Sequence, residues 1–184
     1  MTTGMLARSM TVDLRSTIRD VPGFPKPGIV FKDIMPLLGN AAALRQTVHE
    51  LATFARPLAP DLILGAEARG FIFGAALAYE LGVGFAAARK PGKLPYRTIR
   101  ATYALEYGTD SLELHEDAIA AGARVLIHDD LLATGGTAKA KVDLVEQLGG
   151  VVVGAAFVVE LAFLGGRAAL APIPVHSLIS YDSE

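Results

Sequence analysis

Two adjacent acids, Asp129 and Asp130, close the apolar run Val125-Leu126-Ile127-His128, and Ala133-Thr134-Gly135-Gly136-Thr137 follows after Leu131 and Leu132. The spacing predicts a strand, a short loop of small and hydroxyl residues, and a helix over residues 138–148. That order of residue types suits a sugar phosphate. The first turn of a helix has unpaired N–H groups and a partial positive charge, which together attract phosphate. Gly135 and Gly136 let the backbone come close, and Thr134 and Thr137 add hydroxyl donors. Paired carboxylates accept from the vicinal hydroxyls of a ribose. An isolated T-G-G-T is usually no more than a Gly-rich turn. Here the strand, both acids and the helix stand in register with it. No G-x-x-x-x-G-K-[ST] occurs, and no G-x-G-x-x-G joins a strand to a helix, so the usual nucleotide-binding loops are excluded.

Three other segments could carry chemistry. In Gly65-Ala66-Glu67-Ala68-Arg69-Gly70, Arg69 can grip an anion bidentately beside a helix start. The same segment also reads as a capped helix with a Glu67–Arg69 surface pair. Beside the acid pair it fits a second anion site, for a diphosphate. Arg89, Lys90 and Lys93 place three cations within five residues. Such a cluster is either a solvated face or the positive charge that a leaving diphosphate needs. Residues 98–105 and 111–114 predict a hairpin whose tip carries Glu106 and Tyr107. It is either a lid that excludes water or an ordinary surface hairpin. Phe31, at the end of the Pro-rich stretch from Phe24 to Asp33, either stacks on a flat heterocycle or is core.

Those loops need a scaffold. A helical segment is predicted over 11–18, then a turn-rich stretch over 21–28. Helices are predicted over 41–56 and 70–81, and strands over 61–65, 84–88, 124–127, 151–159 and 175–179. Strands alternating with helices imply an α/β fold, a mostly parallel twisted sheet flanked by helices, with ligands beyond the carboxyl ends of the strands. The chain has 184 residues, 52% hydrophobic and 20% charged, enough for one domain with a real core. The single domain spans 1–184, with a hood segment at about 11–35 and a flexible loop at about 95–115. A net charge of −2 and no long Lys/Arg run argue against nucleic acid. Zero cysteines exclude disulfides and thiolate chemistry, and the four histidines lack a ligand spacing, so no protein metal site is expected. The apolar stretch 151–166 is too short for a membrane span and contains Glu160. No signal-peptide pattern is read at the start, so a cytoplasmic location is expected.

The acids with T-G-G-T resemble the PRPP (phosphoribosyl diphosphate) motif of type I phosphoribosyltransferases. The chain also contains, in order, F-P-x-P-G-[IV]-x-F-[KR]-D, G-x-[ED]-[AS]-R-G-F, R-K-x-G-K-L-P, Y-x-L-E-Y-G and D-D-L-L-A-T-G-G-T. Together these resemble the adenine-using branch of that family over nearly the whole chain past residue 10. The resemblance implies purine salvage, with adenine and PRPP giving AMP and pyrophosphate. It implies that Asp129 and Asp130 hold the ribose hydroxyls, and that Ala133, Thr134, Gly135, Gly136 and Thr137 cradle the 5′-phosphate. It assigns pyrophosphate to Arg69, Arg89, Lys90 and Lys93, with Arg89 reaching across a dimer interface. Val30, Phe31 and Lys32 line the adenine pocket, and Glu106, Arg69 and Tyr107 form the catalytic set. A non-proline peptide of unusual geometry is implied at Ala66-Glu67. Mg²⁺ carried mainly by the substrate's oxygens and a homodimer are implied too. Another purine base, or a non-catalytic PRPP sensor, are the alternatives. His128 stands where the pattern is usually aliphatic, and the residues before Thr11 have no functional match.

Overall fold

The apolar alternation that predicts strands and helices is realised with few shifts. The computed structural model describes residues 11–104 and 109–183, so Glu106 and Tyr107 lie outside the described residues. The chain divides after Gln46 into two compact units.

In the first unit, the helix predicted over 11–18 contracts to one 3₁₀ turn, Leu14–Thr17, capped by Asp13 accepting from the Arg15 amide at 3.1 Å. Ile18 is already extended, and β1 (Arg19–Pro22) pairs antiparallel with β2 (Val30–Asp33). Cross-strand ion pairs decide this against helix. Arg19 meets Asp33 at 2.5 Å and Lys32 meets Asp20 at 2.9 Å, each close to its register partner. Asp33 also accepts from the Met35 amide at the start of a short helix α1 (Met35–Gly39). Asn40 then caps α2 (Ala41–Ala55) through the amides of Ala42 and Ala43, and the residues of α2 after Gln46 belong to the second unit.

The second unit is built on five parallel strands. They are β3 (Leu62–Ala66), β4 (Gly84–Ala88), β7 (Arg124–Leu132), β8 (Val151–Leu161) and β9 (Val175–Tyr181), in the spatial order β4-β3-β7-β8-β9. Helix α3 (Arg69–Leu81) joins β3 to β4, and α4 (Gly136–Gln147) joins β7 to β8. Between β4 and β7, β5 (Thr98–Ala104) and β6 (Thr109–His115) form an antiparallel hairpin. Its base is no loose flap. Leu112 and Leu114 are buried in one cluster with Leu64, Ala66, Val125 and Leu144. Burying each leucine contributes about 1.5–3 kcal/mol, which fixes the hairpin's root. The stretch 151–166 is mostly strand, and among the described residues no helix is long and apolar enough to cross a membrane.

Strand β7 outruns its predicted end. It continues through the acids to Leu132, because β8 offers pairing partners as far as Leu131↔Val159 and Leu132↔Glu160. This matters for the site, since successive residues of a strand face opposite ways. Val125 clusters with Ala140 and Leu144 of α4, and Ile127 with Ala138 and Val142. His128 instead meets Phe73 of α3, edge to face at 6.4 Å. The two acids that follow inherit these opposite outlooks.

Candidate active site

Asp129 and Asp130 answer to different helices. Asp129 Oδ2 accepts from Lys141 Nζ of α4 at 2.7 Å, and its Oδ1 accepts from the Asp130 amide at 3.1 Å. Asp130 Oδ2 lies 3.0 Å from Arg69 Nε at the start of α3, an ion pair rather than a hydrogen bond. Gly70 makes the crowding possible, because a Cβ there would sit 2.5 Å from Asp129 Oδ1. Burial pushes the Asp130 carboxyl up to about 7, the neighbouring Asp129 charge adds to the rise, and Arg69 opposes it. A carboxyl held near neutrality beside a second carboxylate can share a proton or accept from two hydroxyls.

Below the acids, the loop leads into α4 without a side-chain cap. Gly135 occupies the N-cap position with φ 89°, a left-handed conformation that favours glycine. The first-turn amides, which have no partner within the helix, therefore lack a side-chain cap. Carboxylates, Arg69, Glu67, Tyr103 and the loop Ala133, Thr134, Gly135, Gly136 and Thr137 line one open cavity of about 330 Å³. That is the size of a small ligand site. The loop is backed by a second turn that sequence reasoning missed. A Cβ on Gly166 would stand 2.1 Å from the Ala133 carbonyl oxygen, and one on Gly135 would stand 2.6 Å from the Gly166 carbonyl oxygen. The two backbones touch directly, and the only signal for this was the pair Gly165-Gly166.

The other cations lie beside the cavity and are joined to it through Glu67. Arg89 donates to Glu67 Oε2 from Nε at 3.0 Å and from Nη2 at 2.8 Å, and the Lys90 amide donates to Glu67 Oε1 at 2.6 Å. Burial alone would raise the Glu67 carboxyl, but these donors outweigh it and hold it below its ordinary value. Glu67 thus pairs with Arg89, and Arg69 pairs with Asp130. Lys90 pairs with Asp110 of β6, which also accepts from the Tyr103 hydroxyl at 3.2 Å. Lys93 is exposed in the turn that follows β4. A cis non-proline peptide is present at Glu67-Ala68, one residue beyond the Ala66-Glu67 position that the resemblance implies.

Val30, Phe31 and Lys32 sit together on β2 of the first unit. Phe31 packs edge to face on Phe24 at 5.2 Å, and Lys32 is buried against Asp20. Phe31 is only partly buried, so its ring is not committed to core. Sequence reasoning also missed Lys141, a cation on a helix face that otherwise reads as apolar. It missed Tyr103 and Asp110 too, which become part of the site only once the hairpin folds.

The chain matches the phosphoribosyl transferase domain over residues 33–168. An adenine phosphoribosyltransferase of Brevibacillus brevis is 55% identical over 92% of this chain and 100% of its own. One of Solibacter usitatus is 56% identical over 92% and 98%. The crystal structure of adenine phosphoribosyltransferase from Thermoanaerobacter pseudethanolicus superposes with a TM-score of 0.90 at 54% identity, covering 91% of this chain and 98% of that one. The Saccharomyces cerevisiae enzyme, complexed with an imino-altritol bisphosphate and adenine, superposes with a TM-score of 0.84 at 43% identity, covering 90% and 96%. With the acid pair, the Gly-rich helix start and the parallel sheet in place, the chain belongs to the adenine phosphoribosyltransferase family.

Proposed function

We propose that this chain transfers the 5-phosphoribosyl group from PRPP to adenine, giving AMP and pyrophosphate in purine salvage. The observation that carries the reading is a cavity that two carboxylates share with an uncapped, Gly-rich helix start. Asp129 and Asp130 accept from the ribose 2′- and 3′-hydroxyls. Amides and hydroxyls of Thr134, Gly135, Gly136 and Thr137 take the 5′-phosphate, with Ala133 shaping the loop. Arg69 stands between the acids and the diphosphate, and Arg89, Lys90 and Lys93 supply further positive charge where the leaving group's negative charge grows.

The base belongs to the first unit's chemistry. Phe31 stacks on adenine, and Val30 and Lys32 offer backbone groups to its edge. Base N9 forms a bond to the anomeric carbon as the bond to diphosphate breaks, and positive charge develops on the ribose. The protein contributes positioning and charge rather than a covalent nucleophile. Glu106 takes up the purine proton, and Tyr107 helps close the site from the tip of the hairpin. Glu106→Gln should cut kcat strongly while adenine still binds; an unchanged kcat discards the role.

The carboxylates of Asp129 and Asp130 give the cavity hard oxygen donors, which would suit Mg²⁺ brought in by PRPP. Such an ion would lower the charge on the diphosphate. We extend the reading to a homodimer and a cytoplasmic location. The exposed Ile72 and Tyr79 of α3 support the first, and the polar metabolite substrates support the second. Sedimentation velocity tests the dimer.

The reaction itself is tested by incubating the purified protein with adenine, PRPP and Mg²⁺ and following AMP by chromatography, with guanine and hypoxanthine in parallel. AMP from adenine alone is expected. Product from another base moves the base assignment, and no product despite PRPP binding makes the protein a sensor.

A further inference from the structure

Lys141 has no exposed side-chain surface at all. Its helix neighbours Ala140, Val142, Leu144 and Val145 are buried apolar residues, so an aliphatic side chain would suit the position by packing alone. Burying an ammonium costs several kcal/mol before its partners are counted. Both partners sit at the site. Nζ donates to the His128 carbonyl and to Asp129 Oδ2, each at 2.7 Å. The other Asp129 oxygen accepts from the Asp130 amide and abuts Gly70, so the carboxylate is held from both sides.

We propose that Lys141 is a positioning residue for the phosphoribosyl transfer, acting through Asp129 to fix one carboxylate oxygen and to offset the negative charge of the acid pair that receives PRPP. This rests on the reading of Asp129 and Asp130 as the ribose acids. The charge layout supports it. Arg69 of α3 faces Asp130 and Lys141 of α4 faces Asp129. Glu67 and Tyr103 line the same cavity, with Glu67 engaged by Arg89. On the neighbouring strand β8, Glu160 is engaged by Arg167. His128, also on β7, is fully buried and held neutral at pH 7, its value pushed down to about 4 by burial. Lys141 is therefore the ammonium that lies against the acid pair from the α4 side. Its charge acts on Asp130 as well, lowering that carboxyl.

The test compares Lys141→Met, which keeps the volume, and Lys141→Gln, which keeps a donor without the charge, with Asp129→Asn alongside. Each is assayed from pH 5.5 to 9, after its thermal melt has been recorded. Both Lys141 variants should raise the PRPP KM by about tenfold or more, the size of effect that orienting partners have elsewhere. The adenine KM should change less than twofold. The acidic limb of kcat/KM for PRPP should move up by roughly half a pH unit or more, because a cation near the acids is gone. A purely structural lysine would lower the melting temperature and leave that limb in place. A folded Gln variant with a wild-type limb, or with a PRPP KM within twofold of wild type, overturns the inference. If Asp129→Asn raises the PRPP KM and the Lys141 variants do not, the inference fails and the acid assignment stands. If Asp129→Asn has no effect, the acid assignment fails first. Should neither lysine variant fold, ¹⁵N-lysine NMR of the wild-type enzyme decides. One ammonium slow to exchange with water must shift on PRPP addition, and its constancy counts against the proposal.

Discussion

At the scale of single residues, the pH response of the site turns on Asp130. Burial and the Asp129 charge raise its carboxyl to about 7, and Arg69 only partly opposes them. A raised acid is protonated as pH falls through that value, and the acid pair then presents one negative charge fewer to a transition state that is positive at the ribose. The free-enzyme parameter kcat/KM for PRPP should therefore decline as pH falls through about 7, following the value of the Asp130 carboxyl. Asp130→Asn should lower the plateau and remove that limb. The phosphate of PRPP also titrates in acid, and the Asn variant separates the two, because a substrate limb would survive the substitution. Persistence of the full limb in Asp130→Asn would remove Asp130 as its source.

At the scale of elements, the phosphate loop depends on a neighbour far along the chain. Gly166 opens a 3₁₀ turn, Gly166–Leu170, whose backbone rests on Ala133 and Gly135. The turn is moored by Arg167, which donates to both Glu160 oxygens at 3.0 and 2.5 Å and to the Val175 carbonyl at 2.7 Å. A bidentate pair on a buried carboxylate is geometrically specific, so the turn is a firm backstop rather than a loose loop. Gly166→Ala must push either the turn or the phosphate loop, since no Cβ fits 2.1 Å from a carbonyl oxygen. We expect kcat/KM for PRPP to drop by about tenfold to a hundredfold, the scale at which displacements near one ångström act. Gly165→Ala is the control. Its φ of 68° makes alanine strained, but nothing lies within 4 Å of the added Cβ. That variant should lose about 1–2 kcal/mol of stability and keep its PRPP kinetics. Equal kinetic losses in both would show that the close contact has no special role.

This backstop also marks what the sequence conceals. The acids, the T-G-G-T loop and Arg69 are legible because a strand end, a loop and a helix start follow one another locally, and local chemistry is what a linear motif records. The parallel sheet is legible for a similar reason, since apolar runs within 61–65, 84–88 and 151–159 alternate with helical periods. Gly166 and Lys141 are not, because their meaning lies in what the fold lays against them. Strands β1 and β2 escape notice for another reason. They are four residues each, one ends in Pro22, and their pairing depends on two ion pairs between residues more than ten positions apart. Likewise the sequence predicts that β7 ends before its acids, since polar residues normally close a strand. Here β8 pairs past them.

At the scale of the whole molecule, two buried groups on one strand pull the acid stability in opposite directions. His128 is fully buried, burial pushes its value down to about 4, and the Asp129 charge and the Ala156 backbone offset this only in part. Neither ring nitrogen has a hydrogen bond of good geometry. The unfolded chain takes up a proton there below about 6.5, and the folded chain resists until about 4. Stability is therefore lost as pH falls through that window, roughly 2 kcal/mol of it by pH 5. Asp130 does the reverse. Its folded form holds a proton up to about 7 that the unfolded chain releases near 3.8, so stability is gained as pH falls through the same range. Glu67, Asp110, Glu113 and Glu160 are all held below their ordinary values, so their losses come only at lower pH. Between pH 5 and 6.5 His128 and Asp130 nearly cancel, and His176, which burial also holds below its ordinary value, leaves the wild-type curve falling gently as pH drops. His128→Leu removes one side of the balance. Its packing cost is the same at every pH, so the informative quantity is the difference in Tm from wild type at two pH values. Between pH 7.5 and pH 5 that difference should shift in the variant's favour by roughly 4–8 °C, given the Tm change per kcal/mol for a chain of this size. A difference that stays constant across that range would mean that His128 binds its proton as readily in the folded protein as in the unfolded one.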